Sequence, residues 1–238
     1  METVKGKHVL VTGATGGIGM LTAKLLAGRG AVVYISGRNA GKLNVVARQL
    51  NIPSERVFIA DLSDHAQVMD MAEKIHVVVP ALDVLVNAAG IGIIKPIGTL
   101  SPDEFSRTLN SNLVAPFNLM TAFLPAMKEQ KKGLIVNIPG VLGKVPMAGA
   151  AAYSASKYGL VGMMQSIREE IKRTDIRITN LFLGGVDSPF WDHIDMRVQR
   201  DKMIVADEAA KAIWFLCQQP RSGVVSEMVL QPFNHQAI

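Results

Sequence analysis

Short runs of β-branched and aliphatic residues alternate along this chain with longer stretches in which apolar positions recur every three or four residues. The first pattern predicts strands and the second amphipathic helices. Strands are expected at H-V-L-V-T from His8, A-V-V-Y-I-S from Ala31, V-F-I-A from Val57 and L-D-V-L-V-N from Leu82. Three more are expected at L-I-V-N-I from Leu134, I-R-I-T-N-L-F from Ile176 and V-V-S-E-M-V-L from Val224. Most are apolar throughout, which means burial on both faces and a parallel sheet lying between helices. The predicted class is therefore α/β, a doubly wound, seven-stranded parallel sheet. No linker, low-complexity stretch or internal repeat divides residues 1–238, so a single domain is expected. In such sheets ligands sit at the carboxyl ends of the strands, near the reversal in strand order.

Composition narrows the setting. A chain of 238 residues, 49% hydrophobic, can bury a sizeable core and is neither a disordered segment nor a disulfide-stapled module. The lone Cys217 has no internal partner, and the opening M-E-T-V-K-G-K carries no apolar signal stretch, so a reducing, cytoplasmic setting is expected. No apolar run reaches the roughly 18 residues of a membrane-spanning helix, and no membrane partner is expected. The net charge of +5 comes from basic residues interleaved with acids, as in R-E-E-I-K-R-T-D from Arg168. That pattern reads as a solvated helix face and not as a nucleic-acid stripe, although a modest positive field would also draw in a phosphorylated ligand. No metal-ligand spacing is present.

The first strand runs into T-G-A-T-G-G-I-G, in which Gly13, Gly17 and Gly19 allow a tight turn, a close backbone approach and a close helix–strand contact in succession. Such a turn delivers phosphates to a helix N-terminus. The second strand ends in S-G-R-N. A carboxylate here would accept both ribose hydroxyls and repel a 2′-phosphate, whereas Arg38 after Gly37 offers that phosphate a bidentate contact. These residues favour NADP(H) over NAD(H), with an exposed loop arginine as the bland alternative. Asp61 after the third strand either accepts from an adenine amine or starts the next helix. In N-A-A-G, Asn87 to Gly90, small residues would let backbone pass beneath a cofactor and the Asn87 amide could tie neighbouring strands. Tyr153 and Lys157, in Y-S-A-S-K, stand one turn apart on a helix predicted to start near Ala151. A buried ammonium beside a phenol lowers its pKa from about 10 by on the order of 1–3 units, making Tyr153 a general acid or base.

The ordered set T-G-A-T-G-G-I-G, N-A-A-G, Asn112 in N-S-N-L, and Y-S-A-S-K resembles the short-chain dehydrogenase/reductase family. The resemblance implies a Rossmann-like sheet that binds a dinucleotide. It implies cofactor contacts from Gly13, Thr15, Gly17, Ile18, Gly19, Arg38, Asp61, Leu62, Asn87, Ala88 and Gly90, and from Tyr153 and Lys157. It further implies that Tyr153 protonates the substrate oxygen in the reducing direction, that Lys157 holds the nicotinamide ribose, and that Asn112 positions a water in a proton relay. A homodimer or homotetramer built on the helices from Phe105 to Met127 and after Tyr153 is implied as well.

Two departures from the family pattern stand out. Members usually read I-V-N-I-S-S, with a catalytic serine thirteen residues before the tyrosine, whereas this chain reads I-V-N-I-P-G and has Gly140 there. After the sixth strand the usual P-G-x-V-x-T is L-G-G-V-D-S, in which Gly184, Val186 and Ser188 keep the turn and the expected cofactor contacts. Beyond it, about residues 186–205 form an expected substrate-covering segment. Phe190 and Trp191 there either meet an apolar ligand or simply pack the segment onto the domain. The sequence thus favours an NADP(H)-dependent carbonyl reductase or alcohol dehydrogenase acting on a largely apolar small molecule with Tyr153, Lys157 and Asn112. The alternative is a cofactor-binding protein with little turnover, a sensor or partner subunit, for which Gly140 is the only sequence support.

Overall fold

The computed structural model describes residues 2–220 and 222–234. Its elements run β1 (His8–Thr12), α1 (Gly17–Gly28), β2 (Val32–Gly37), α2 (Ala40–Gln49), β3 (Val57–Ile59), α3 (His65–His76) and β4 (Val84–Asn87). There follow α4 (Pro102–Leu109), α5 (Ala115–Gln130), β5 (Lys132–Asn137), α6 (Ala151–Ile171) and β6 (Asp175–Leu183). The remainder is β7 (Val186–Asp187), β8 (Ile204–Val205), α7 (Ala206–Leu216) and β9 (Glu227–Leu230). Seven of the strands form one sheet in the order β3-β2-β1-β4-β5-β6-β9, and every pairing is parallel. The short pair β7–β8 stands apart from it.

The unbroken apolar runs acquire their meaning from strand geometry, because successive side chains point to opposite faces. Val9, Val11, Val33, Ile35, Val84, Val86 and Val136 point to one layer, where Ala23, Leu26, Leu43, Ala209 and Ile213 of α1, α2 and α7 cover them. Leu10, Tyr34, Leu85, Ile135 and Ile178 point to the other, under Met71, Ile75, Leu119, Phe123, Leu160 and Met164 of α3, α5 and α6. Both faces are buried, as a parallel sheet requires. Strand order reverses between β1 and β4, which puts a crevice at their carboxyl ends.

All seven predicted strands are present, with ends shifted by a few residues. Leu82 is buried but precedes the pairing that begins at Val84, and β9 begins at Glu227, not at Val224. At the far ends of β4 and β5, and level with them on β6, Asn87, Asn137 and Asn180 lie in register across three strands. The Asn87 amide donates to Asn137 Oδ1 at 2.7 Å and the Asn137 amide to Asn180 Oδ1 at 3.4 Å. The tie expected of Asn87 is thus one rung of a buried amide ladder.

Candidate active site

Gly13 has φ +64°, and a Cβ there would lie 2.7 Å from the backbone of Ala89. The glycine turn therefore passes against the N-A-A-G segment with no room for a side chain. α1 starts immediately after it, with Gly16 as a cap that offers no side-chain hydrogen bond and with no acid in the first turn. The amides of Gly17, Ile18 and Gly19 are left for an anion, which the positive end of the helix favours. Ile18 itself packs its side chain against the core.

A cavity of about 200 Å³ opens beside this turn, lined by Gly13, Thr15, Arg38, Asp61, Leu62, Ala88 and Gly90 among others. The structure thus brings seven of the sixteen sequence-predicted cofactor residues to one wall. Ser63, Ile91 and Ser111 line it too, and nothing in their residue types marks them in the sequence. Asp61 does not start the next helix: Asp64 caps α3 through Ala66 N and Gln67 N, while Asp61 Oδ1 takes Ser63 N at 3.0 Å and Ser63 Oγ at 2.7 Å. The open glycine turn, the bare helix end and Arg38 beside Gly37 together fit the phosphates of a dinucleotide. Ser188 and Pro189 close the far side of the turn, where a Cβ on Gly17 would meet them at 3.0 and 3.1 Å. Val186 and Ser188 are buried there, and Gly184 N donates to Leu230 O.

Tyr153 and Lys157 share one face of α6, and Lys157 Nζ lies 5.4 Å from the centre of the Tyr153 ring. Lys157 is buried and donates to Ile138 O at 3.0 Å, which fixes the end of β5 just before Pro139 and Gly140. Desolvation pulls the amine down to about 8 and pushes the phenol up to about 12. This reverses the expected direction for Tyr153, because enclosure of the phenol outweighs the attraction of an ammonium that is itself disfavoured by burial. Both groups remain protonated at neutral pH, so the phenol is an acid here.

Asn112 is fully buried within a π-helical turn, Asn110–Val114, between α4 and α5. Its Oδ1 accepts from Ile91 N at 2.9 Å, and its amide donates to Ile91 O at 2.9 Å and to Ser156 Oγ at 3.1 Å. Ser156 in turn donates to Tyr153 O at 2.7 Å. The Asn112 side chain is thereby committed to holding the segment that leaves β4 against α6. Ser156 is a link the sequence reading missed, although it stands in Y-S-A-S-K. Gly140 has φ +69° and ψ 170°, a region only glycine visits readily, and it begins a short turn at Val141–Gly143.

The segment from Val186 to Val205 lies against the cleft in two short 3₁₀ turns, with β7 and β8 pairing at its two ends. The Phe190 ring packs edge-on to Tyr153 at 5.9 Å and to Trp191 at 5.2 Å, and Trp191 Nε1 donates to Val186 O. Arg200 fastens the segment by binding Asp187 at 2.7 Å, Asp192 at 2.9 Å and Ser188 O. A larger cavity of about 840 Å³, lined by Lys5, Lys7, Lys132 and Arg177 with Asp83 and Asp175, lies at the opposite end of the strands. Among the described residues no group of three or more His, Cys, Asp or Glu could hold a metal ion, and no helix is long and apolar enough to cross a membrane.

A family model described as short chain dehydrogenase matches residues 7–198. An uncharacterized oxidoreductase of Staphylococcus epidermidis is 31% identical over 232 residues, 98% of this chain and 100% of that protein. Among solved structures, a metagenomic short-chain oxidoreductase in complex with NADP is 33% identical with a TM-score of 0.82, covering 96% of this chain and 98% of that one. An alcohol dehydrogenase of the archaeon Thermococcus sibiricus, complexed with 5-hydroxy-NADP, is 25% identical with a TM-score of 0.87, over 98% and 100% of the two chains.

Proposed function

The chain belongs to the short-chain dehydrogenase family, and on that premise we propose that it is an NADP(H)-dependent oxidoreductase, a carbonyl reductase or alcohol dehydrogenase for small, largely apolar substrates. The observation that carries the reading is the Tyr153–Lys157 pair, enclosed on one face of α6 and facing the apolar segment that holds Phe190. A chain with no use for proton transfer has no physical reason to keep a lysine buried beside a tyrosine. Relatives named as oxidoreductases, one of them bound to NADP, support the same class.

The cofactor would be held by the N-terminus of α1, by Thr15 and Arg38 at its phosphorylated ribose, by Asp61 and Leu62 at the adenine, and by Asn87, Ala88, Gly90, Gly184, Val186 and Ser188 further along. The nicotinamide, when bound, supplies or accepts the hydride. Tyr153 Oη gives its proton to the substrate oxygen in the reducing direction and takes it back in oxidation. Lys157 Nζ, 5.4 Å from the centre of that ring, would hold the nicotinamide ribose and bias the phenol. Asn112 holds Ile91 and Ser156 in place, which fixes Tyr153 relative to the floor of the cleft. Gly140 brings no hydroxyl, so one donor to the substrate oxygen is missing; such a loss costs about 100- to 1,000-fold where it has been removed from dependent enzymes.

The exposed rings of Phe105, Phe117 and Tyr158 on α4, α5 and α6 support a homodimer or homotetramer, and the lone free thiol of Cys217 suits a reducing, cytoplasmic setting. Purified protein is to be assayed for NADPH oxidation with a broad panel of ketones and aldehydes, with NADPH binding titrated in parallel. Turnover that depends on Tyr153 supports the enzyme. Tight NADPH binding with no oxidation of any carbonyl overturns it in favour of a cofactor-binding protein.

A further inference from the structure

Gly92 faces the covering segment, and a Cβ on it would lie 2.2 Å from Phe190 Cζ, 2.7 Å from Phe190 Cε2 and 3.0 Å from Ile194 Cδ1. The absence of a side chain at Gly92 is therefore what admits the Phe190 ring. The same ring packs edge-on to Tyr153, inclined at 60°. Ile194 is buried beside it, and Trp191 backs it at nearly a right angle. Three polar bonds from Arg200 and the Trp191 indole bond to Val186 O hold the backbone that carries it. The ring is thus fixed from behind, and its position follows from the notch in front.

A carbonyl oxygen served by Tyr153 must come within hydrogen-bond reach of the phenol, about 2.6–3.2 Å. One substituent of that carbonyl then lies along the wall made by Gly92, Phe190 and Ile194. The wall contains no polar side chain, so a charged or hydroxylated substituent there would lose its water and gain no partner. It is also stiff, because the ring has backbone on one side and Trp191 on another.

We propose that Phe190, keyed into the notch at Gly92, is the specificity-determining residue of the site. It selects carbonyl compounds whose substituent on that side is uncharged and flat or unbranched. This inference rests on the reading of the chain as a carbonyl oxidoreductase. A pocket wall of this kind discriminates by about 10- to 200-fold per misplaced methylene or methyl group.

The experiment compares the wild-type protein, Phe190→Ala and Gly92→Ala in two measurements. In the first, NADPH oxidation is followed with acetophenone and with the branched 2,2-dimethylpropiophenone. Phe190→Ala is expected to raise the branched-to-flat ratio of kcat/KM by about tenfold or more while NADPH affinity stays within about threefold. An unchanged ratio with intact NADPH binding overturns the proposal. In the second, made in a Trp214→Phe background so that Trp191 is the only indole, acrylamide quenching reports on the wall without any turnover. Gly92→Ala must push the ring out of the notch and make Trp191 more accessible; unchanged quenching overturns the proposal. A protein that turns over neither ketone fails the functional reading, while the quenching result still decides whether Phe190 is keyed to Gly92.

Discussion

Restoring the missing hydroxyl by Gly140→Ser tests both the backbone and the chemistry, provided Gly140→Ala is measured beside it. At φ +69° and ψ 170° an L-residue pays conformational strain of about 1–3 kcal/mol. In a domain of this size each kcal/mol moves the melting temperature by about 2–4 °C, so both variants should melt roughly 2–12 °C lower than the parent. Space is not the obstacle, because among the described residues, chain neighbours aside, a Cβ there meets only Leu183 O within 4 Å, at 3.4 Å. That carbonyl is also within reach of the new hydroxyl, which should donate to it and remain unavailable to a substrate. The expected outcome is equal destabilisation of the two variants by thermal unfolding, and NADPH oxidation by Gly140→Ser within about threefold of Gly140→Ala. A serine variant faster than the alanine variant by about 100-fold would show that the hydroxyl reaches the substrate oxygen after all. Unshifted melting of both would refute the left-handed backbone.

Three further outcomes are expected. Tyr153→Phe should abolish carbonyl turnover and leave NADPH affinity within about threefold, whereas Lys157→Ala should lower both; steady-state kinetics with fluorescence titration checks this. NADP(H) should bind at least about tenfold more tightly than NAD(H), and Arg38→Ala should remove most of the difference, since a charge-assisted contact is worth about 1.5–3 kcal/mol. Lys157, depressed to about 8 when folded, should make stability rise with pH between about 8 and 10.5, because the unfolded amine binds the proton that the buried amine gives up. The change is on the order of 3 kcal/mol, and urea unfolding across that window should show Lys157→Met with a flatter slope than the parent.

The fold was legible because its signal repeats. Most strands are apolar runs, and a sheet buried on both faces accounts for them. The cavity that Gly13 and Arg38 line was legible for the opposite reason: both residues are unlike what an ordinary turn needs. What stayed hidden depends on contacts between distant residues. Nothing in the sequence says that Asn112 spends its amide on Ile91 and Ser156, because that requires knowing that a π turn faces α6. Nor does Asp61 announce that Asp64, three residues on, takes the cap. The direction of the Tyr153 shift was misread because a one-turn spacing reveals proximity and not enclosure. The glycine at position 140 was visible, but its φ angle was not.

The amide ladder of Asn87, Asn137 and Asn180 makes these three positions a single mutational unit. Asn87 Oδ1 and Asn180 Nδ2 are already buried without partners, so the ladder tolerates no further orphan. Changing the middle residue alone to leucine would strand an amide on each side, at about 1–3 kcal/mol apiece, whereas replacing all three with apolar residues of similar volume would strand none. The single steps are therefore costlier than the whole, and the energies of these sites cannot add. A sheet that arrives at this arrangement is held in it by the cost of its intermediates, whatever the stability of the alternative.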